Sequence, residues 1–317
     1  MTARVKTAAA VVVCAGLPAL LSGNEYAMSL LIAALTIAGV AIAWSMLANL
    51  GGMVSFGHAA FFGVGSYVSA LAALRLGLSS PVAILVGGVG AAVASMVMLP
   101  ALRLRGPYFA LAILAYAEIL RILATELDGV TGGARGLVSI PHLPVLLGLD
   151  LGSRPGSYSV IAAIALLAML LYDRIGASHP GLALRAMHDS EDATQVLGVP
   201  STRLKGAMLL LSALLTGLVG AFNAHVIGFL DPDYAFSSSW TVLPVVCAIF
   251  GGYRTVLGPA IGAVLVYLAD QVVLKDWLPQ GHQMALGVVL VAMILVSPRG
   301  LVPLVLGKSP RRRGAPA

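Results

Sequence analysis

Stretches of about twenty apolar residues recur along almost the whole chain, and an α-helix rising about 1.5 Å per residue needs that length to cross the hydrocarbon core of a bilayer. Such runs lie near 7–22, 27–48, 54–74, 82–101, 107–126, 157–173, 205–227, 237–250, 257–274 and 282–298. Inside lipid every backbone N–H and C=O must find its partner within the protein, so runs of this length fold as helices. The expected fold class is therefore an all-α polytopic membrane protein with about ten transmembrane helices. Composition agrees, with 59% hydrophobic and 10% charged residues, where a soluble domain carries roughly a quarter charged. With no polar domain or long linker, residues 1–317 read as a single transmembrane domain.

The charges report orientation. With the N-terminus inside, only Arg75, Arg135, Arg154 and Lys275 fall in outside segments and Arg121 falls within a span, while the other fourteen of the 19 basic residues face the cytoplasm. The positive-inside rule then places both termini in the cytoplasm of a multi-pass inner-membrane protein. The net charge of +6 follows this topology and does not point to nucleic acid. Arg4 and Lys6 ahead of an apolar run resemble a signal peptide, but no A-x-A site follows, so the segment reads as a retained first helix. Cys14 and Cys247 lie in separate apolar runs, which indicates neither a disulfide framework nor a metal site.

The longest charged segment, His179 to Gly206, has a design of its own. Asp189 reads as an N-cap with Asp192 at the capping-box position. Ala193, Val196 and Leu197 share one face. Gly198 supplies a left-handed terminator, and Pro200 stops the helix restarting. A helix of about eight residues, roughly 12 Å long, is expected on the cytoplasmic side. It suits either a partner's cleft or a plain solvated loop.

The spans lack catalytic constellations: no HExxH, no GxSxG and no GxxxxGK[ST] phosphate loop occurs. They carry glycine instead. The run Gly51 to Tyr67 (GGMVSFGHAAFFGVGSY) holds too many small residues for one straight helix seam, which favours a broken or closely packed element beside a pathway. A similar rhythm at 251–262 points to a possible five-plus-five repeat of the kind transporters use.

These motifs carry a family likeness. GGMVSFGHAAFFGVGSY, LRLRGPYFALAILAYAEILRIL (102–123), TGGARGL (131–137), ALRAMHDSEDATQVLGVPSTRLKG (183–206), GFLDPDYAFSSSW (228–240), FGGYRTVLGPAIGA (250–263) and SPRGLV (297–302) resemble, in order, segments of the permease subunits of bacterial branched-chain amino-acid ABC importers, the LivM-like family. Within them, Asp192 to Gly198 is similar to the EAAxxxG coupling motif, with Asp for Glu and Thr for the second Ala. The resemblance implies an ABC-importer permease architecture whose 179–206 loop docks on separate ATPase subunits through Glu191, Asp192, Ala193, Thr194, Leu197 and Gly198. It further implies a second, LivH-like permease, an extracytoplasmic substrate-binding protein, and ATP hydrolysed by partner subunits, with no cofactor in this chain.

Ser55, His58, Phe61, Tyr67, Glu118 and Arg121 are the candidates for a translocation path or gate. Glu118 and Arg121 stand one helical turn apart and can form a salt bridge, either a lock or a contact for a zwitterionic substrate. His58 lines the path or packs. His225 reads as interfacial, and the polar stretch 231–239 as an outside surface. Arg311 to Arg313 read as a lipid anchor. The substrate stays open between branched-chain amino acids and urea or short amides. A gradient-driven secondary transporter is the reading from a different class, and an unpaired intramembrane carboxylate would favour it.

Overall fold

The computed structural model describes residues 24–104, 106–146 and 148–277, together with 281, 284, 287, 288, 291, 292, 295, 297 and 300–305. The expected first span at 7–22, most of 282–298, Cys14 and Arg311 to Arg313 lie outside the described residues. The long helices are α1 (Glu25–Leu50), α2 (His58–Leu76), α3 (Ser80–Ser95), α4 (Pro107–Glu126) and α5 (Arg154–Gly176). Two short helices follow, α6 (His179–Asp189) and α7 (Glu191–Val196), then the longest, α8 (Ser201–Ile227). After α9 (Pro232–Ala235) come α10 (Ser239–Gly251) and α11 (Gly258–Leu268), the last running into a π-turn at Ala269–Leu274. Seven segments are long and apolar enough to span a bilayer (α1 to α5, α8, and α9 with α10), and Gly258–Leu274 is a shorter apolar helix. Strand structure among the described residues is limited to the small hairpin Val145–Leu146 with Leu149–Asp150.

Local chemistry sets the helix ends. The Asn24 side chain accepts from the Ala27 amide at 3.0 Å to start α1, and the Ser153 hydroxyl accepts from the Gly156 amide to start α5. Proline stands in the first turn of α3, α4 and α5, where its missing N–H costs nothing. Helices α2 and α8 stop at Gly77 and Gly228, whose positive φ of 65° and 77° suits glycine.

The core is built on closeness. The most apolar stretch of α1 is 83% buried, that of α8 72% and that of α2 67%, against 28% for α4. Apolar all round, α1 sits in the middle between α5, α8, α10 and α11. Helices α2, α3 and α8 meet through small residues. A Cβ added at Gly65 would run into the backbone of Gly217, one at Gly217 into Ala91, and one at Gly88 into Leu218 at 2.6 Å. Between membrane helices, where lipid is as apolar as leucine, such backbone approach supplies the packing energy. Helix α4 stands at the periphery and exposes Tyr108, Leu111, Leu114 and Ile119 along one side.

Candidate functional site

The long helices leave two faces. The near face carries the ends of α1 and α5, the start of α8 and the helices α6 and α7; the far face carries the start of α1 and the ends of α2, α4 and α8. Between Leu50 and His58 the chain is extended and turns back into the bundle. Its burial alternates with period two: Gly51, Met53, Ser55 and Gly57 face inward, while Gly52, Val54 and Phe56 face out. Trp44 Nε1 donates to the Ser55 carbonyl at 2.8 Å, and the Gly57 amide donates to Ser55 Oγ. An added Cβ on Gly57 would meet the Ile113 carbonyl at 2.6 Å, so glycine lets this strand-like piece lie directly against α4. Here is the broken element expected from the glycine run, its backbone polar groups held by protein.

His58 opens α2 from the bundle interior. Ser212 Oγ donates its single proton to the Ala43 carbonyl at 2.9 Å, so the 2.9 Å contact between Ser212 Oγ and His58 Nε2 has the imidazole as donor. That leaves His58 Nδ1 buried without a partner among the described residues. His58 thus stitches α2, α8 and α1 together and lines neither of the two cavities along α4. Phe61 is fully buried beside it, and Tyr67 is buried against the Phe236 ring, 5.9 Å between centroids. Three expected path residues, Ser55, Phe61 and Tyr67, therefore belong to the packed interior. The expectation for His225 is also corrected. It is fully buried, donates through Nδ1 to the Pro141 carbonyl at 2.6 Å and accepts from Ser69 Oγ through Nε2. A loop folded over the far end of α8 hides it from any interface.

The open space lies along α4. A cavity of about 650 Å³ is lined by Phe56 and Ala59, by Leu111, Leu114, Glu118 and Arg121 of α4, and by Phe236 to Ser238 and Thr241. On the near side a second cavity, about 630 Å³, is lined by Gly52 to Val54, Phe56, Leu102, Leu104, Gly106, Pro107, Phe109, Ala110, Leu111, Glu191 and Lys205. Phe56 and Leu111 border both, so they form the apolar neck of one groove that runs from the near face toward the far face. Sequence reasoning missed both residues. Alternation across 51–57 was the available signal for Phe56; for Leu111 the signal was its place two turns before Glu118, on the same face of α4.

At the far end of the groove Glu118 and Arg121 form the expected ion pair, Nη2 to Oε1 at 2.6 Å. Arg121 Nη1 also reaches Asp233 of α9 at 2.7 Å, a partner remote in sequence. All three side chains are accessible, Arg121 by 33% and Glu118 by 56%. An ion cluster open at membrane depth needs a water-filled path or a neighbouring protein beside it.

At the near face the expected single helix is two. Asp189 ends α6, and the N-cap of α7 is Ser190, whose Oγ accepts from the Ala193 amide at 3.4 Å. A helix of six residues results, shorter than expected. Its end is as expected: Gly198 has φ +83°, the Gly198 amide donates to the Gln195 carbonyl at 2.9 Å and the Val199 amide to the Thr194 carbonyl at 3.1 Å. These two bonds make the Schellman motif. Thr194 is buried, its hydroxyl donating to Ser190 and Glu191 carbonyls. Glu191 pairs with Lys205 of α8 at 2.7 Å, and Asp192 is exposed. Ala193 is exposed too, and Val196 and Leu197 are 88% and 81% accessible. An apolar tip thus projects from a helix whose other side is pinned to α8.

Residues 26–297 match the family model described as the permease component of branched-chain amino acid transport systems. The chain is 29% identical to the high-affinity branched-chain amino acid transport permease LivM of Salmonella typhimurium over 82% of its length, and 27% identical to that of Escherichia coli over 86%. It spans 66% and 68% of those two proteins. The LivH permease of Escherichia coli is 21% identical over 84% of this chain and 91% of its own length. No solved structure matches the chain.

Proposed function

The chain belongs to the family of permease components of branched-chain amino acid transport systems, and from that premise we propose that it is one transmembrane subunit of an ATP-driven importer. The observation that carries the reading is the apolar tip of α7, Val196 and Leu197, exposed on the face richest in basic residues. That face is the cytoplasmic one by the positive-inside rule, and both termini lie there in the bacterial inner membrane. A capped six-residue helix with an open apolar tip fits the cleft of an ATPase subunit. Residues 179–206 are then the coupling loop of a single permease domain.

The groove along α4 is open in the single chain. A second, LivH-like permease laid against α4 would close it into a path whose neck is Phe56 and Leu111. An extracytoplasmic binding protein delivers branched-chain amino acids to the far face. Closing of the ATPase pair pushes α7, and through the Glu191–Lys205 pair and the His188–Gly52 approach the push reaches the 51–57 segment. The side chain of His188 lies 3.0 Å from where a Gly52 Cβ would stand, so the two segments lie close enough to pass such a push. Such a push shifts the permease only as far as the ATPase binds its two states differently. ATP is bound and hydrolysed by the partners, not by this chain.

Reconstitution tests the reading. The purified chain alone should neither bind nor hydrolyse ATP. With ATPase subunits, the second permease and binding protein, vesicles should take up leucine when ATP is supplied. Uptake driven by a proton or sodium gradient without ATPase subunits would refute it. Urea uptake in place of leucine would keep the mechanism and change the substrate. Among the described residues lining the groove, Glu118 and Glu191 are both paired, which disfavours the gradient-driven alternative there; Asp270, buried in the π-turn with Oδ1 unpartnered among the described residues, does not line it.

A further inference from the structure

We infer that the far end of the α4 groove is a transient binding site for the zwitterionic head of an α-amino acid, with Arg121 receiving the carboxylate and Glu118 the ammonium. This rests on the permease reading above and adds to it a place where the permease itself inspects its cargo.

The first argument is donor capacity. A guanidinium has five N–H donors. Arg121 spends Nε and one Nη2 hydrogen on Glu118 and one Nη1 hydrogen on Asp233. Two donors are left, one on each Nη nitrogen, enough in number for one carboxylate. The second argument is charge. One cation between two carboxylates leaves the triad with a net negative charge, so an ammonium is drawn to the Glu118 side while the free N–H donors of Arg121 can meet a carboxylate. A zwitterion, itself neutral, offers both groups at once, whereas urea, an amine or a simple acid offers one or neither.

Accessibility supplies the third argument. The Glu118 and Asp233 side chains are 56% and 82% accessible in the single chain, so the bundle itself does not seal them off. Glu118 and Arg121 line a cavity of about 650 Å³, ample for a small amino acid. The remaining wall completes the match: Phe56, Leu111 and Leu114 offer an apolar surface for a branched side chain. Charged groups at one end and apolar ones at the other mirror the layout of leucine or valine.

Arg121 also ties α4 to α9 through Asp233.

The experiment uses the whole complex of both permeases and the ATPase subunits in lipid nanodiscs without nucleotide or binding protein, and radiolabelled L-leucine as probe. Wild-type complex should bind leucine, displaced by unlabelled leucine but poorly by isoamylamine, which lacks the carboxylate, or by 4-methylpentanoate, which lacks the ammonium. Arg121→Gln and Glu118→Gln should each weaken leucine binding roughly tenfold or more, the scale of one lost charge-assisted contact. In Arg121→Gln, isoamylamine should compete nearly as well as leucine. Arg121→Lys, which keeps the charge but not the paired donors, should fall between. Co-purification of the ATPase subunits checks assembly, and the competitor ratio is read within each variant whatever its yield. Wild-type leucine affinity and unchanged competitor discrimination in Arg121→Gln would overturn the site, even with leucine uptake intact. Absence of leucine uptake by the wild-type complex with ATP and binding protein would overturn the amino-acid reading of the permease, and the site with it.

Discussion

Gly198 is the residue on which the shape of the coupling loop turns, and replacing it separates backbone geometry from contact. Its φ of +83° lies in the left-handed region. No atom stands within 4 Å of the position a Cβ would take, so a side chain there meets no obstacle and the cost is conformational. An alanine in that region costs about 1 kcal/mol, and a β-branched valine about 2 kcal/mol. Asparagine, which tolerates the left-handed region, should cost a few tenths, on the order of 0.5 kcal/mol. The only opposing restraints are the two terminal hydrogen bonds from the Gly198 and Val199 amides. A penalty of about 2 kcal/mol lowers the population of the terminated helix relative to frayed forms roughly 30-fold, since about 1.4 kcal/mol is a factor of ten. The spans are untouched, so membrane level and thermal unfolding should match wild type. Leucine uptake in vesicles, with ATPase subunits and binding protein supplied, should fall in the order glycine, asparagine, alanine, valine. ATP hydrolysis should persist wherever the ATPase subunits are retained. Full uptake by Gly198→Val would refute the argument, because a force carried by α7 cannot survive the loss of its fixed exit.

Ala193→Trp keeps α7 helical but adds bulk to its exposed side; uptake and ATPase co-purification should both drop while membrane level holds, and unchanged uptake would move the ATPase contact elsewhere. Reversing the buried-side ion pair should uncouple and then recouple: Glu191→Lys alone and Lys205→Glu alone should each lower leucine transported per ATP hydrolysed several-fold, and the double swap should restore most of it, as expected for a partly buried pair. Gly65→Val forces a side chain into the backbone of Gly217, so α2 and α8 must separate; a loss of about 2–4 kcal/mol in stability, read as a fall in the detergent melting temperature, follows from overpacking at a small-residue seam. With Cys14 and Cys247 replaced, a cysteine at Gln195 should react only with reagent on the cytoplasmic side and one at Ser238 only from outside; labelling of position 195 from the periplasm would invert the topology.

What the chain settles by itself is the class and the lengths. Runs of about twenty apolar residues admit only helices in lipid, because no water is there to satisfy an open backbone. The ranges expected for α1, α4, α5 and α8 accordingly fall within a few residues of the helices found. Local signals were equally readable where one residue decides a local conformation. Gly198 ends α7 in the left-handed region because only its φ, not its neighbours, is at issue. The start of α7 was less legible, since Asp189, Ser190 and Asp192 all suit a helix entry, and Ser190 became the cap because α6 runs on through Asp189. The Glu118–Arg121 pair followed from spacing along one helix.

Tertiary structure decided which side of each span meets protein. A helix that is apolar on every side carries no sequence record of its neighbours, so nothing local in α1 tells which residues meet α5 and which meet α10. The same holds for the polar residues. Ser55 faces inward and Phe56 outward because the 51–57 segment is extended, where helical spacing gives the wrong side. His58 and His225 became interior stitches because Ser212 and Ser69, some 150 residues away in sequence, bring a hydroxyl to each ring. Asp233 joined the charged cluster through a fold-back that local spacing cannot encode. Helix formation is a matter of neighbouring residues and the surrounding lipid; the groove is a matter of which distant helices touch, and that depends on the shapes all of them present at once.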